Sequence, residues 1–312
     1  MFGAHTTSGL RGDYSRARAD FTVEQSWQTY GEADHALWRR LYARQSQLVR
    51  HYACRAFADG LARADCADAI PDLARVNRAL TRASGWQLVA VPGFIPDEQF
   101  FRHLAARRFP VTVWLRKPEE LDYLVEPDIF HDFFGHVPML FDRAFGDFMQ
   151  AYGEKGLRAL AVGALPHVAR LYWYTVEFGL IDAEDGLRAF GAGILSSGGE
   201  TPYAVESPTP LRVRFDLRRC MRTRYRIDDF QKTYFVIRAI DELKDTVAQD
   251  LVPLLQSLVL EPELEPDRLY PGDEPVPPRA CRPEAQGAMR ASPAPRSRIK
   301  VPGESGAEHH LS

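Results

Sequence analysis

Helical periodicity constrains this chain more than any other feature of its sequence. In "YGEADHALWRRLYARQSQLV" the residues Leu37, Trp38, Leu41, Tyr42, Gln45 and Val49 recur at intervals of three and four. That spacing gives an α-helix a wide apolar stripe, which other elements have to cover. "IPDLARVNRALTRASG" repeats the pattern, with Pro71 and Asp72 where a helix opens and Gly85 where one closes. The texture then changes. "WQLVAVPG" and "FPVTVWLR" run apolar or alternate over short spans bounded by proline and glycine, the signature of short strands. After Pro127 helices return: one carrying His131, one over roughly 146–162 and one through "HVARLYWYTVEFGL". A last long helix is expected from Asp228 and Asp229, as caps, through "FQKTYFVIRAIDELKDTVAQDLVPLLQSLV", kinked or divided at Pro253. The chain is therefore expected to be mostly α with a few short β-strands, without a βαβ rhythm or an internal repeat.

Prolines mark its limits. Ten of the 22 fall between Glu261 and Ser312, among few large apolar residues. Such a segment buries too little surface to offset the roughly 1–2 kcal/mol per residue that backbone ordering costs. Residues 261–312 are expected to be a Pro/Arg-rich disordered tail, with His309 and His310 as untethered polar residues at its end, and residues 1–20 a flexible N-terminal segment. Residues 21–260 remain for a single domain. The net charge of -3 offers no excess of basic groups for nucleic acid or an anionic membrane. No stretch approaches 18 uninterrupted apolar residues and the first twenty lack a signal-peptide core, so a cytoplasmic location is expected. Cys54, Cys66, Cys220 and Cys281 form no CxxC pair and are read as reduced thiols.

The chemistry gathers around "DIFHDFFGHVP". His131 and His136 stand five apart, and five residues turn an α-helix by about 500°, leaving the second side chain about 140° from the first. Gly135 suits a helix interior poorly and Pro138 disfavours helix at Val137, so the helix is expected to end between the two histidines and let both face one pocket. Taken alone the pair is a weak sign of a metal site. The strongest carboxylate to join it is Glu177, in "LYWYTVEFGLI", where its charge needs a partner. That partner is either a metal shared with the histidines or an arginine such as Arg170. Two histidines and one carboxylate form the facial triad that leaves positions open on ferrous iron. The HExxH spacing of a zinc protease is absent.

The segments "WQLVAVPGFIPDEQFF", "FPVTVWLRKPEELDYLVEPDIFHDFFGHVPML", "LYWYTVEFGLI" and "GAGILSSGGE", in this order, resemble the pterin-dependent aromatic amino acid hydroxylases, and within them the short bacterial members that act on phenylalanine. The resemblance runs from about Phe21 to Val259 and implies a single catalytic domain of that type. It implies Fe(2+) held by His131, His136 and Glu177, and a tetrahydropterin (tetrahydrobiopterin or a bacterial analogue) against Gly93, Ile95, Phe100, Asp132 and Tyr172. Arg116 matches the arginine that binds the substrate carboxylate; without the resemblance it would be read as a surface ion pair with Glu119 or Glu120. Ser196, Ser197, Trp173 and Phe178 match residues lining the substrate pocket, and the two aromatics would otherwise be ordinary core. The implied reaction takes L-phenylalanine and O2 to L-tyrosine through a ferryl-oxo oxidant, the first step of phenylalanine catabolism. Pterin-recycling enzymes are the implied functional partners. Asp132 stands where animal members carry glutamate, and Leu124 where they carry threonine. No regulatory domain or tetramerisation helix has a counterpart here, so a monomer is expected. Hydroxylation of tryptophan or tyrosine is the alternative within the family, and a non-catalytic zinc-binding module the alternative outside it.

Overall fold

The computed structural model describes residues 10–121, 124, 126–227 and 229–280; Asp228, Cys281, His309 and His310 lie outside the described residues. The stripe read from residues 37–49 is the buried face of α1 (Glu32–Tyr52), where Trp38, Leu41, Gln45 and Val49 are covered. Glu32 and Asp34 occupy its first turn and Arg50 its last, each charge at the end of the helix dipole that favours it. α2 (Arg55–Ala64) follows. α3 (Leu73–Ser84) opens on Asp72, whose carboxylate accepts from the N–H groups of Ala74 and Arg75, and closes on Gly85 at φ 78°.

The two expected strands are β1 (Gln87–Val91) and β2 (Arg108–Thr112), but they pair in parallel across α4 (Asp97–Ala105). This is a βαβ unit, which the sequence was read as lacking. Its helix is short and its strands brief, so no repeating rhythm announces it. A π-helical segment, His131–His136, then runs into α5 (Val137–Leu140), α6 (Arg143–Ala161) and α7 (Leu165–Tyr172), which continues as a second π-helical segment, Trp173–Glu177.

The rest of the body is β3 (Leu180–Ala183), β4 (Gly186–Ala189), α8 (Ala192–Leu195), α9 (Glu200–Glu206), β5 (Leu211–Arg214), α10 (Leu217–Arg222), β6 (Thr233–Ile237), α11 (Ile240–Ala248) and α12 (Val252–Leu258). A four-stranded sheet runs in the order β4-β3-β6-β5, with β3 and β4 antiparallel and the other pairs parallel. The single long helix expected from residue 228 is thus a strand followed by two helices. Every residue of β6 is buried, and a strand covered on both faces reads as a continuous apolar run that periodicity cannot tell from a helix. Pro253 falls in the first turn of α12, where its missing N–H leaves no bond unmade.

Both expected loose ends are held over part of their length. Arg11 pairs with Glu120 and lies over the Trp114 ring, and the Tyr14 hydroxyl donates to the Phe94 carbonyl at 2.9 Å. Leu264 donates to the Arg222 carbonyl and accepts from Arg224 N–H. Glu263 pairs with Arg170 and Arg224, and Asp273 with Arg219 at 3.0 Å, that last pair buried. Composition counts apolar surface; it does not register acidic groups that meet arginines on the body. Residues up to Arg279 form one compact unit.

Candidate metal centre

The five-residue spacing of the histidines is answered by the kind of helix, not by its end. Phe130, His136 and Val137 keep right-handed helical dihedrals, so no break separates His131 from His136. In a π-helix the ladder runs i→i+5, and residues five apart come one turn above each other on one face. The expected helix end between them is therefore incorrect. Gly135 serves packing instead. A Cβ added there would lie 2.9 Å from the Ala192 carbonyl oxygen and 3.1 Å from the Ala192 Cβ, so α8 rests on bare backbone. The second π segment has the same ladder, with Phe178 N–H donating to the Trp173 carbonyl at 2.8 Å, and ends on Glu177.

These two segments bring three ligand atoms together. His136 Nε2 lies 3.2 Å from Glu177 Oε1, His131 Nε2 lies 3.5 Å from Glu177 Oε2, and the two Nε2 atoms are 3.3 Å apart. Among the described residues this is the only group of three or more histidine, cysteine or acidic side chains gathered closely enough to hold a metal ion. Burial alone would push the Glu177 carboxyl up, but the imidazoles beside it hold it at about 2. Burial pushes the His131 imidazole down, towards the neutral form that coordinates metals. His131 Nδ1 is 2.9 Å from Ser196 Oγ, and with Nδ1–H donating to that hydroxyl, Nε2 turns a lone pair towards His136 and Glu177. Lone pairs and a carboxylate converging on one point repel each other unless a cation lies between them. Arg170, the rival partner for Glu177, pairs with Glu263 instead.

Arg116 meets neither Glu119 nor Glu120. It is buried, and its Nε and Nη2 donate to the two oxygens of Asp128 at 2.8 and 2.9 Å. Asp128 also accepts from the backbone N–H groups of Arg116 and His131, tying the arginine to the turn that carries the first histidine. Sequence reasoning passed over Asp128; its place three residues before His131, the usual reach of a capping carboxylate, was the available signal. Asp132 is buried, accepts from Thr112 N–H at 2.8 Å and has its carboxyl pushed up by burial. Phe100 and Tyr172 meet edge to face at 5.6 Å, and the Tyr172 ring lies 6.1 Å from that of His136. Ile95 is buried, and a Cβ on Gly93 would stand 2.9 Å from the Tyr14 hydroxyl, so the glycine permits close approach of the N-terminal segment. Trp173 and Phe178 pack together at 4.7 Å. Ser197 is turned differently from Ser196, its Oγ accepting from Glu200 N–H at 3.2 Å.

Residues 21–258 match the family described as biopterin-dependent aromatic amino acid hydroxylase. The chain belongs to that family. The hydroxylase is 52% identical over 258 residues to the phenylalanine-4-hydroxylase of Caulobacter vibrioides, covering 82% of this chain and 88% of the relative. It is 56% identical over 240 residues to the phenylalanine-4-hydroxylase of Chromobacterium violaceum, covering 77% and 81%. The crystal structure of the C. violaceum enzyme with bound oxidised Fe(III) is similar with a TM-score of 0.82 at 52% identity, over 83% of this chain and 95% of that one. Biopterin dependence comes with the family. The two imidazoles and one carboxylate of this hydroxylase fit iron by the chemistry of the donor set.

Proposed function

We propose that this hydroxylase converts L-phenylalanine and O2 to L-tyrosine, with iron held by His131, His136 and Glu177 and a tetrahydropterin as cosubstrate. The observation that carries the reading is the convergence of His131 Nε2, His136 Nε2 and the Glu177 carboxylate within 4.8 Å of one another, from two π-helical segments of a chain in this family. When bound, iron and the pterin supply the oxidising chemistry. The protein binds, orients and excludes water. Asp128 holds the Nε and Nη2 edge of Arg116 and the Leu121 carbonyl accepts from Nη1 at 3.5 Å; the remaining Nη1 and Nη2 hydrogens are the donors for the amino acid carboxylate. Trp173 and Phe178 form the wall against the substrate ring, Ser196 orients His131, and Ser197 fixes the loop before α9. Gly93, Ile95, Phe100, Asp132 and Tyr172 make up the pterin side.

The enzyme works as a cytoplasmic monomer at the first step of phenylalanine catabolism, served by enzymes that regenerate the pterin. In support, no helix among the described residues is long and apolar enough to cross a membrane. The test is an anaerobic titration with ferrous iron, followed by tetrahydropterin-dependent O2 uptake with phenylalanine, tryptophan and tyrosine in turn and identification of the products. Tyrosine from phenylalanine, at the highest rate of the three, is the expected result. Tight zinc binding without pterin-dependent O2 uptake would overturn it.

A further inference from the structure

Trp173 opens the π-helical segment that ends on Glu177. Its ring stacks on Tyr225 with centroids 4.3 Å apart and an interplanar angle of 15°, and meets the Phe178 ring at 4.7 Å with a tilt of 40°. Stacking fixes the plane of an aromatic ring but leaves it free to slide within that plane. A directional bond removes that freedom. The indole N–H donates to Gln231 Oε1 at 2.9 Å.

Gln231 is only 3% exposed, so its amide has been taken out of water, which costs stability unless each polar atom is paired. They are paired. Oε1 accepts from Trp173, Nε2 donates to the Arg226 carbonyl at 2.9 Å, and the backbone N–H donates to Glu200 Oε1 at 3.1 Å. Glu200 is buried in turn and accepts from the Tyr234 hydroxyl at 2.6 Å, which anchors it to the central strand β6. A methionine would fill the place of Gln231 without any desolvation cost. What the glutamine adds is an acceptor at one fixed point, aimed at one indole.

We propose that Gln231 is a specificity-determining positioning residue: it sets where the Trp173 indole stands, and so the depth of the aromatic wall that the substrate ring meets, with Glu200 anchoring it from behind. This rests on Trp173 facing the substrate ring, as read above. Gln231 touches neither the ring nor the metal ligands in this role; it acts through Trp173.

Three substitutions test it in the iron-loaded full chain. Gln231→Met keeps the length and removes the acceptor, Gln231→Asn keeps the amide but draws it back by one methylene, and Trp173→Phe removes the donor. In both Gln231 variants the KM for L-phenylalanine should rise about tenfold, while kcat and the tetrahydropterin KM stay within about twofold and iron content is unchanged. The preference for L-phenylalanine over L-tryptophan in kcat/KM should fall by a similar factor. In a Trp173→Phe background, Gln231→Met should add less than about twofold, because the bond it breaks is already gone. Should Gln231→Met fail to fold, Gln231→Asn, alone and in the Trp173→Phe background, decides the same points. A tenfold effect that persists in the Trp173→Phe background, or a fall in iron content with no change in the L-phenylalanine KM, would make Gln231 ordinary core support and overturn the proposal. A wild-type enzyme that forms no tyrosine overturns the underlying reading instead, and this inference with it.

Discussion

Glu177 is a carboxylate with aromatic and aliphatic neighbours along the chain, and it faces two imidazoles rather than an arginine. Changing it to alanine removes the only anionic ligand, so Glu177→Ala should abolish iron binding in an anaerobic titration and tyrosine formation with it. Ser196 touches the site only through His131 Nδ1. Ser196→Ala should weaken iron binding about 10- to 100-fold, the usual effect of removing a group that orients a ligand, while the fold persists by circular dichroism. Glu200 makes a different prediction. Burial pushes its carboxyl from the usual 4.5 up to about 7, although Tyr234 and Gln231 favour the charged form. Between those two pH values the folded chain retains a proton that the unfolded chain has released. Stability therefore falls as pH rises from about 4.5 to about 7 and levels off above, by on the order of 3 kcal/mol for this group. Urea unfolding at pH 5 and pH 8 should reveal that slope, and Glu200→Gln should flatten it.

At the scale of the element, the residue types of the site were legible and their local geometry was not. His131, His136 and Glu177 were readable because imidazoles and a carboxylate in apolar surroundings need a common partner. The π ladder was not, because an α-helical 100° step rules out an i,i+5 pair, and nothing local to "HDFFGH" states that the step changes. What calls for glycine in that segment also lies across the fold, where the Ala192 backbone of α8 packs against Gly135. Alanine in a helix interior is worth about 1 kcal/mol over glycine, but a Cβ at 2.9 Å from a carbonyl oxygen costs more, on the order of 1–3 kcal/mol. Gly135→Ala should thus lower the unfolding midpoint and weaken iron binding. A variant at least as stable as wild type would mean that α8 gives way without loss.

For the whole molecule, the segment after α12 counts as part of the body up to Arg279. Glu261 pairs with Arg218 and Arg222, Glu263 with Arg170 on α7, Asp273 with the buried Arg219, and Arg279 with Glu206 at the end of α9. Arg170 stands one α7 turn before the segment that carries Glu177, and α9 follows the loop that carries Ser196, so this segment braces both sides of the metal centre. A chain ending at Leu260 loses the Asp273 partner of Arg219 together with the Tyr270 ring that covers it, and leaves the buried Arg170 without Glu263. It should unfold at lower denaturant than a chain ending at residue 280 and bind iron less tightly. Equal midpoints for the two chains would show that the segment is dispensable.

The sequence by itself determined the mostly α character of the chain, the positions of α1 and α3 with the Asp72 and Gly85 caps, and the strands β1 and β2; it offered His131, His136 and Glu177 as candidates to share a metal and left Arg170 as the rival partner. The elements and their caps are local properties: periodicity and capping are settled within a few residues of one another. Tertiary structure alone decided that β1 and β2 run parallel, that 233–237 is a strand, that His131 and His136 meet through a π ladder, that Asp128 takes one edge of Arg116, and that residues 261–279 clasp the body. Each of these depends on a partner brought in by the fold, and a one-dimensional pattern carries no record of which distant group will supply the missing contact.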